Sequence, residues 1–177
     1  MAVEIEAAFP PPLAGSYHTG LLHAPCPGKL EQVNRVPPDP LDNESNMQIL
    51  QPAAWPRPRG YSNGVVATGR TVFVAGQIGW DNAAAQFRTD DLVGQVHQAL
   101  VNIVAVLAEA GARPEHIVRM NWYLADRNEY LARIAEIGRA YREVIGKHYP
   151  AMTALQVGGF VEPVAKVEIE VTAMLPE

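Results

Sequence analysis

From Lys166 to Met174 the chain alternates without interruption. Val167, Ile169, Val171 and Ala173 fall on one side of an extended segment, and Lys166, Glu168, Glu170, Thr172 and Met174 on the other. This pattern demands a strand with one face packed on a helical layer and the other turned away from it. Glu168 and Glu170 then stand about 6.5–7 Å apart along the strand. The second face is not wholly polar, because Met174 lies on it. Phe73 and Tyr123 alternate in the same way against Val72, Val74 and Trp122. A sheet face that is partly apolar and uncovered by helices tends to pair with a copy of itself, so self-association through the sheet is expected.

The rest of the pattern supplies the covering layer. Val65–Ala67 and Thr71–Ala75 are β-rich runs joined by a short Gly69 turn, which predicts a hairpin ending at Gly76. Asp81-Asn82 signals a turn. Val93, Val96, Leu100, Ile103, Val104 and Leu107 form one stripe at helical spacing, opened by Thr89, Asp90 and Asp91 and stopped by Gly111. A strand is expected over Ile117–Leu124. A second helix follows, with Asp126 and Glu129 at capping-box spacing, Tyr130, Ile134, Ile137, Tyr141 and Ile145 inward, and Gly146 at its end. Thr153–Val157 and Lys166–Met174 complete the order β-β-α-β-α-β-β. Two amphipathic helices on one face of a mixed sheet make a two-layer α/β (α+β) domain over residues 47–177.

Before this domain the composition changes. Most of the fifteen prolines precede residue 60, and segments such as Pro37-Pro38-Asp39-Pro40 can continue neither a helix nor a central strand. Residues 1–46 are therefore expected to be a Pro-rich extension of loop or polyproline-like chain. Met47, at the junction, is a candidate alternative start. A net charge of -5 with singly scattered Lys and Arg argues against a nucleic-acid or anionic-membrane surface. The lone Cys26 forms no internal disulfide, and no secretory signal is legible, so a cytoplasmic protein is expected. The five histidines have no zinc-site spacing. Neither a phosphate-binding glycine loop nor a serine-hydrolase elbow occurs, and no metal or cofactor is expected.

Five short motifs resemble one family in consistent order. Arg59-Gly60-Tyr61-Ser62-Asn63-Gly64 is similar to its G-P-Y-S-Q-G opening, and Phe73-Val74-Ala75-Gly76-Gln77-Ile78 to F-V-S-G-Q-I. Gln98-Ala99-Leu100-Val101-Asn102-Ile103 is similar to Q-A-L-x-N-I/L, and Pro150-Ala151-Met152-Thr153 to P-A-R-S/T. Val167-Glu168-Ile169-Glu170 is similar to its last strand. The family is RidA/YjgF, the enamine/imine deaminases. The resemblance implies a chorismate-mutase-like homotrimer with clefts between subunits. It also implies hydrolysis of reactive imines to a carbonyl compound and ammonia, without metal or cofactor. Carried over, Glu168 is the catalytic carboxylate. Tyr61, Gly76, Gln77 and Thr153 shape the substrate site, and Trp80 is a further candidate for its wall.

Two positions depart from the family pattern. Met152 stands where the family's carboxylate-binding arginine should be, and Gly138 where its second helix often has asparagine. A thioether offers only adaptable apolar contact, so a substrate larger or less acidic than the usual 2-imino acids is expected unless another cation serves. Arg59, Arg119 and Arg127 are the candidates. The alternatives are a non-catalytic trimeric binding or interaction protein, and a pathway hydrolase or cyclase using the same cleft.

Overall fold

The computed structural model describes residues 46–177. The expected Pro-rich extension lies outside the described residues except for Asn46. The elements are β1 (Met47–Leu50), β2 (Gly64–Ala67), β3 (Arg70–Ile78), β4 (Trp80–Asp81), β5 (Gln86–Phe87) and α1 (Leu92–Glu109). A 3-10 turn (Pro114–His116) leads into β6 (Ile117–Leu124), followed by α2 (Arg127–Ala132), α3 (Ile134–Val144), β7 (Ala151–Gln156) and β8 (Val167–Leu175). The main sheet has the order β3-β8-β6-β7. β8 is antiparallel to both neighbours and β6 is parallel to β7, so the sheet is mixed.

One hydrophobic layer separates this sheet from α1 and α3. Val167, Ile169, Val171, Ala173 and Leu175 of β8 are buried, as are Met120, Trp122 and Leu124 of β6. Val96, Leu100, Ile103 and Leu107 of α1 meet them fully buried, each contributing about 1.5–3 kcal/mol. Val93 and Val104, flanking the stripe, are only partly buried. Among the described residues α1 alone is long and apolar enough to cross a bilayer, but its buried stripe and the polar side chains described below mark it as a core helix. Asp91 caps it, accepting a hydrogen bond from the Gly94 N–H at 2.9 Å, and Gly111 takes φ +71° beyond its end.

The structure corrects five expectations. First, β2 pairs with β1 and not with β3, so the expected hairpin does not form. The Asn46 amide bonds the carbonyls of Thr68 and Met174, and the Thr68 N–H bonds Asn46 O. At Gly69, φ is +126° and a Cβ would lie 1.9 Å from Leu175 O. The chain thus passes directly over the end of β8 and cannot fold back there. Second, β3 does not end at Gly76 but runs to Ile78. A bulge sets Ala75 and Gly76 between the Val74↔Val171 and Gln77↔Ile169 pairs. Third, the second helix breaks at Arg133, where φ is -112° and ψ 14°. The guanidinium there engages Asp91 and Glu136, and it holds both carboxyls below their ordinary range. Ile134, just past the break, is 52% exposed and not inward. Fourth, β7 begins at Ala151, not at Thr153. Fifth, at α2, Asp126 accepts from the Asn128 and Glu129 N–H groups, but the Glu129 carboxylate bonds Lys166 Nζ at 3.0 Å and closes no capping box.

Two amides on α1 tie the layers together. Gln95 is fully buried. Its Nε2 donates to the carbonyls of Thr89 (3.2 Å) and Val164 (3.0 Å), and its Oε1 accepts from the Lys166 N–H at 2.8 Å. Asn102 Nδ2 donates to the carbonyls of Ile78 (3.2 Å) and Trp80 (2.8 Å), and Gln98 Nε2 donates to Asn102 Oδ1 at 2.9 Å. This explains the spacing of glutamine and asparagine within that motif: they are i, i+4 partners facing the end of β3. Gln95→Ala strands three backbone groups and leaves a void. Urea denaturation is expected to show about 2–4 kcal/mol of lost stability, whereas a loss below about 1 kcal/mol would mean that the buried amide is not a principal tie.

Candidate functional site

The alternation of β8 places Glu168, Glu170 and Thr172 on the sheet face away from the helices. The two carboxylates have different surroundings. Glu170 Oε1 accepts from Asn121 Nδ2 at 2.6 Å and from the Tyr123 hydroxyl at 3.0 Å. The hydrogen bond to Glu170 pushes the Tyr123 phenol above its usual range. Glu170 is thus a satisfied structural carboxylate. Glu168, opposite Ile78 on one side and Tyr123 on the other, makes no hydrogen bond or ion pair among the described residues.

The Glu168 carboxyl lies over the bulge of β3. A Cβ on Gly76 would sit 1.9 Å from Glu168 Oε1 and 2.7 Å from its carboxyl carbon. With glycine at 76 the carboxyl can lie against the bare backbone; a Cβ there would force the Glu168 side chain or the bulge to shift. Gln77 folds back on the same bulge, its Nε2 donating to Ala75 O at 3.2 Å and Gly76 O at 3.3 Å. Farther along the open face, Arg119 and a 78% exposed Phe73 flank Thr172 and border a depression with Glu170.

Tyr61 and Met152 lie elsewhere. In the parallel β6–β7 ladder Met152 is opposite Met120, which is fully buried on the helical side, so Met152 faces the helices and Thr153 faces away. Met152, Tyr61, Trp122, Gly138, Tyr141 and Tyr149 border a cavity of about 330 Å³. Tyr141 stacks on Tyr149 with ring centroids 5.7 Å apart and lies 6.4 Å from Trp122. Burial pushes the Tyr141 phenol up, and its hydroxyl donates to His148 O at 2.7 Å. The Tyr61 loop is stitched to the approach to β7: the Ser62 N–H donates to Pro150 O at 2.9 Å and its hydroxyl to Tyr149 O at 2.6 Å.

The structure therefore brings Tyr61 and Met152 together, and separately Glu168 and Gly76 with Gln77 beside them. It places the two groups on opposite faces of one sheet. Trp80 joins neither. Its ring meets Phe87 edge-on at 5.3 Å in the β4–β5 hairpin. Of the arginines named from sequence, Arg59 lines the Met152 cavity. Arg119 is on the opposite face, its Nε donating to Asn121 Oδ1 at 3.3 Å, and Arg127 starts α2. A further cavity cation, Arg142, was missed. Its signal was the i, i+4 spacing from Gly138. Among the described residues no group of three or more His, Cys, Asp or Glu is placed to hold a metal.

Comparison with known proteins agrees with this fold. The family described as Endoribonuclease L-PSP matches residues 53–175. The chain is 31% identical over 127 residues to the 2-iminobutanoate/2-iminopropanoate deaminase of Capra hircus, covering 72% of this chain and 89% of the goat protein. The Rid family protein YyfB of Yersinia pestis superposes with a TM-score of 0.66 at 30% identity, over 73% of this chain and 99% of that one. TdcF of E. coli, solved with bound serine, gives a TM-score of 0.53 at 27% identity, over 73% and 98%. A mixed sheet with helices packed on it and these motifs in this order defines a RidA-like α/β protein. The chain belongs to the RidA/YjgF (Rid) family, whose members were formerly described as endoribonuclease L-PSP-like.

Contact between Gly76 and Glu168 can be tested directly. In a crystal structure of Gly76→Ala the Glu168 carboxyl is expected to rotate away from β3, or the bulge to open. A carboxyl found in its original place over an unchanged bulge would refute the close approach.

Proposed function

We propose that this chain is a cytoplasmic hydrolytic deaminase that converts a reactive imine, or its enamine tautomer, and water to a carbonyl compound and ammonia. The observation that carries the reading is the contrast between the two carboxylates of β8: Glu170 is held by two side chains, and Glu168 is free beside a bare backbone. An unengaged carboxylate there can accept a proton from water as its oxygen adds to the C=N carbon. Glu168 passes that proton to the nitrogen, giving a neutral carbinolamine and a free carboxylate. Glu168 then takes the hydroxyl proton and delivers it to the amine as the C=O bond forms and the C–N bond breaks, releasing ammonia, so one water is consumed and no redox partner is needed. The name of the goat relative, a 2-iminobutanoate/2-iminopropanoate deaminase, supports this reaction class.

The reading includes a homotrimer. Glu168 and the Tyr61–Met152 cavity occupy opposite faces, so a substrate bound in the cavity of one subunit meets a Glu168 only from a neighbouring one. The exposed Phe73 and the apolar Met174 on the open face supply a surface for that contact. With methionine at 152, the substrate differs from the usual small 2-imino acids.

Imines generated in situ by an amino-acid oxidase provide the test. Wild type is expected to accelerate their hydrolysis, and Glu168→Gln to lower kcat by about 10²–10⁴-fold. Full turnover by Glu168→Gln would remove Glu168 from the mechanism. Absence of turnover on small, aromatic and apolar imines would favour a non-catalytic binding protein. Analytical ultracentrifugation is expected to give three times the 19.3 kDa chain mass, and Phe73→Asp to shift it toward monomer with loss of activity. An active wild-type monomer would defeat the shared-site reading.

A further inference from the structure

The cavity that has lost an arginine at 152 is not without cations. Two guanidiniums, Arg59 and Arg142, line it, and among the described residues no carboxylate does. Neither side chain has a hydrogen bond or ion pair within the described chain. Arg59 sits in the loop before Gly60, whereas Arg142 stands on α3, one turn beyond Gly138. Side chains on a helix lean toward its N-terminus, so Arg142 is directed back over position 138. Its Nη1 lies 3.4 Å from where a Cβ of residue 138 would be. Arginine in a last helical turn ordinarily complements the helix dipole. Here it also crosses the bare backbone of Gly138 at the wall of an aromatic cavity. Gly138 thus gives the guanidinium a bare stretch of helix to cross, on the wall of the same cavity that has methionine at 152.

We propose that Arg142 is the carboxylate-binding residue of this cavity, and that the cavity takes 2-imino acids with an aromatic or similarly bulky apolar side chain. The proposal rests on the deaminase reading for the imine itself. Recognition of a carboxylate with an attached ring stands on the cavity. A guanidinium on a rigid helix offers a planar pair of donors to a carboxylate. Trp122, Tyr141, Tyr149 and the Met152 thioether supply the wall for the ring, and about 330 Å³ is ample for it. With the cation on the helix, the strand offers the substrate side chain an apolar, adaptable wall at Met152.

The experiment is calorimetric binding of phenylpyruvate, the keto acid such an imine would yield, to the full chain. Phenylacetone, which lacks the carboxylate, and pyruvate, which lacks the ring, are run beside it. Arg142 is exposed, so Arg142→Gln is expected to fold normally. It should weaken phenylpyruvate at least about tenfold while leaving phenylacetone unchanged, and Arg142→Lys should recover part of the loss. Arg59→Gln should change phenylpyruvate by less than about threefold. Wild type should prefer phenylpyruvate to pyruvate by about tenfold or more.

Failure of phenylpyruvate to bind wild type, unchanged affinity in Arg142→Gln, or equal loss for phenylacetone would overturn the assignment of Arg142. Equal affinity for pyruvate would overturn the bulky substrate. If binding follows expectation but the imine of phenylalanine is not hydrolysed, the deaminase reading fails and the Arg142 site stands. If that imine is hydrolysed and Arg142→Gln leaves KM unchanged, the site fails and the deaminase reading stands.

Discussion

Gln95 is the side chain on which the placement of β8, and with it Glu168, depends. It lies fully buried between the N-terminal turn of α1 and the segment entering β8, and it bonds backbone groups in both. A Cβ at Gly79 would lie 2.5 Å from its own Cβ, so the chain leaving β3 runs against α1 with no room between them. Asn102, about two turns on, takes the carbonyls on either side of that glycine. An amide buried without partners costs several kcal/mol, so this network is satisfied only when strand and helix meet in one register. A slip of one residue in β8 would turn Val167, Ile169 and Val171 outward and bury two glutamates. The amides therefore do more than add stability: they select the phase that exposes Glu168.

Patterns with a period carried most of the fold. The alternation of β8 and the stripe of α1 each specify an element and its buried side without reference to anything distant, and both sit where the pattern puts them. The errors arise where a distant group decides. A short Gly-containing turn between two β-rich runs reads as a hairpin, but Asn46 and the end of β8 redirect the chain at Gly69. Nothing local announces the break at Arg133, which has neither glycine nor proline. It becomes intelligible only when Asp91, 42 residues away, is seen to share its guanidinium.

The two glutamates show the same limit at the site. Glu168 and Glu170 are equivalent in alternation, and sequence chemistry alone does not separate them. The difference lies across the ladder: Asn121 and Tyr123 reach Glu170, and the bulge brings Gly76 under Glu168. Arg142 is a different case. Its spacing from Gly138 was visible, but it acquires meaning only when α3 is seen to wall the same cavity as Met152. On the proposed assignment of Arg142, the departures at 138 and 152 are two sides of one exchange.

The sheet itself accounts for the division of the site. A carboxylate within reach of an unpaired guanidinium forms a charge-assisted ion pair, and a proton acceptor so engaged is a weaker one. In this chain Arg59 and Arg142 lie on the helical side and Glu168 on the open side, with the backbone of the sheet between them. Glu168 is thereby kept from the cavity's own cations, and those cations remain available to an incoming anion. On the trimeric reading the two sides meet only across a subunit boundary, with the substrate between them. Its carboxylate would then neutralise the guanidinium before Glu168 is brought near. On that reading the sheet keeps the cation and the carboxylate apart until the substrate lies between them.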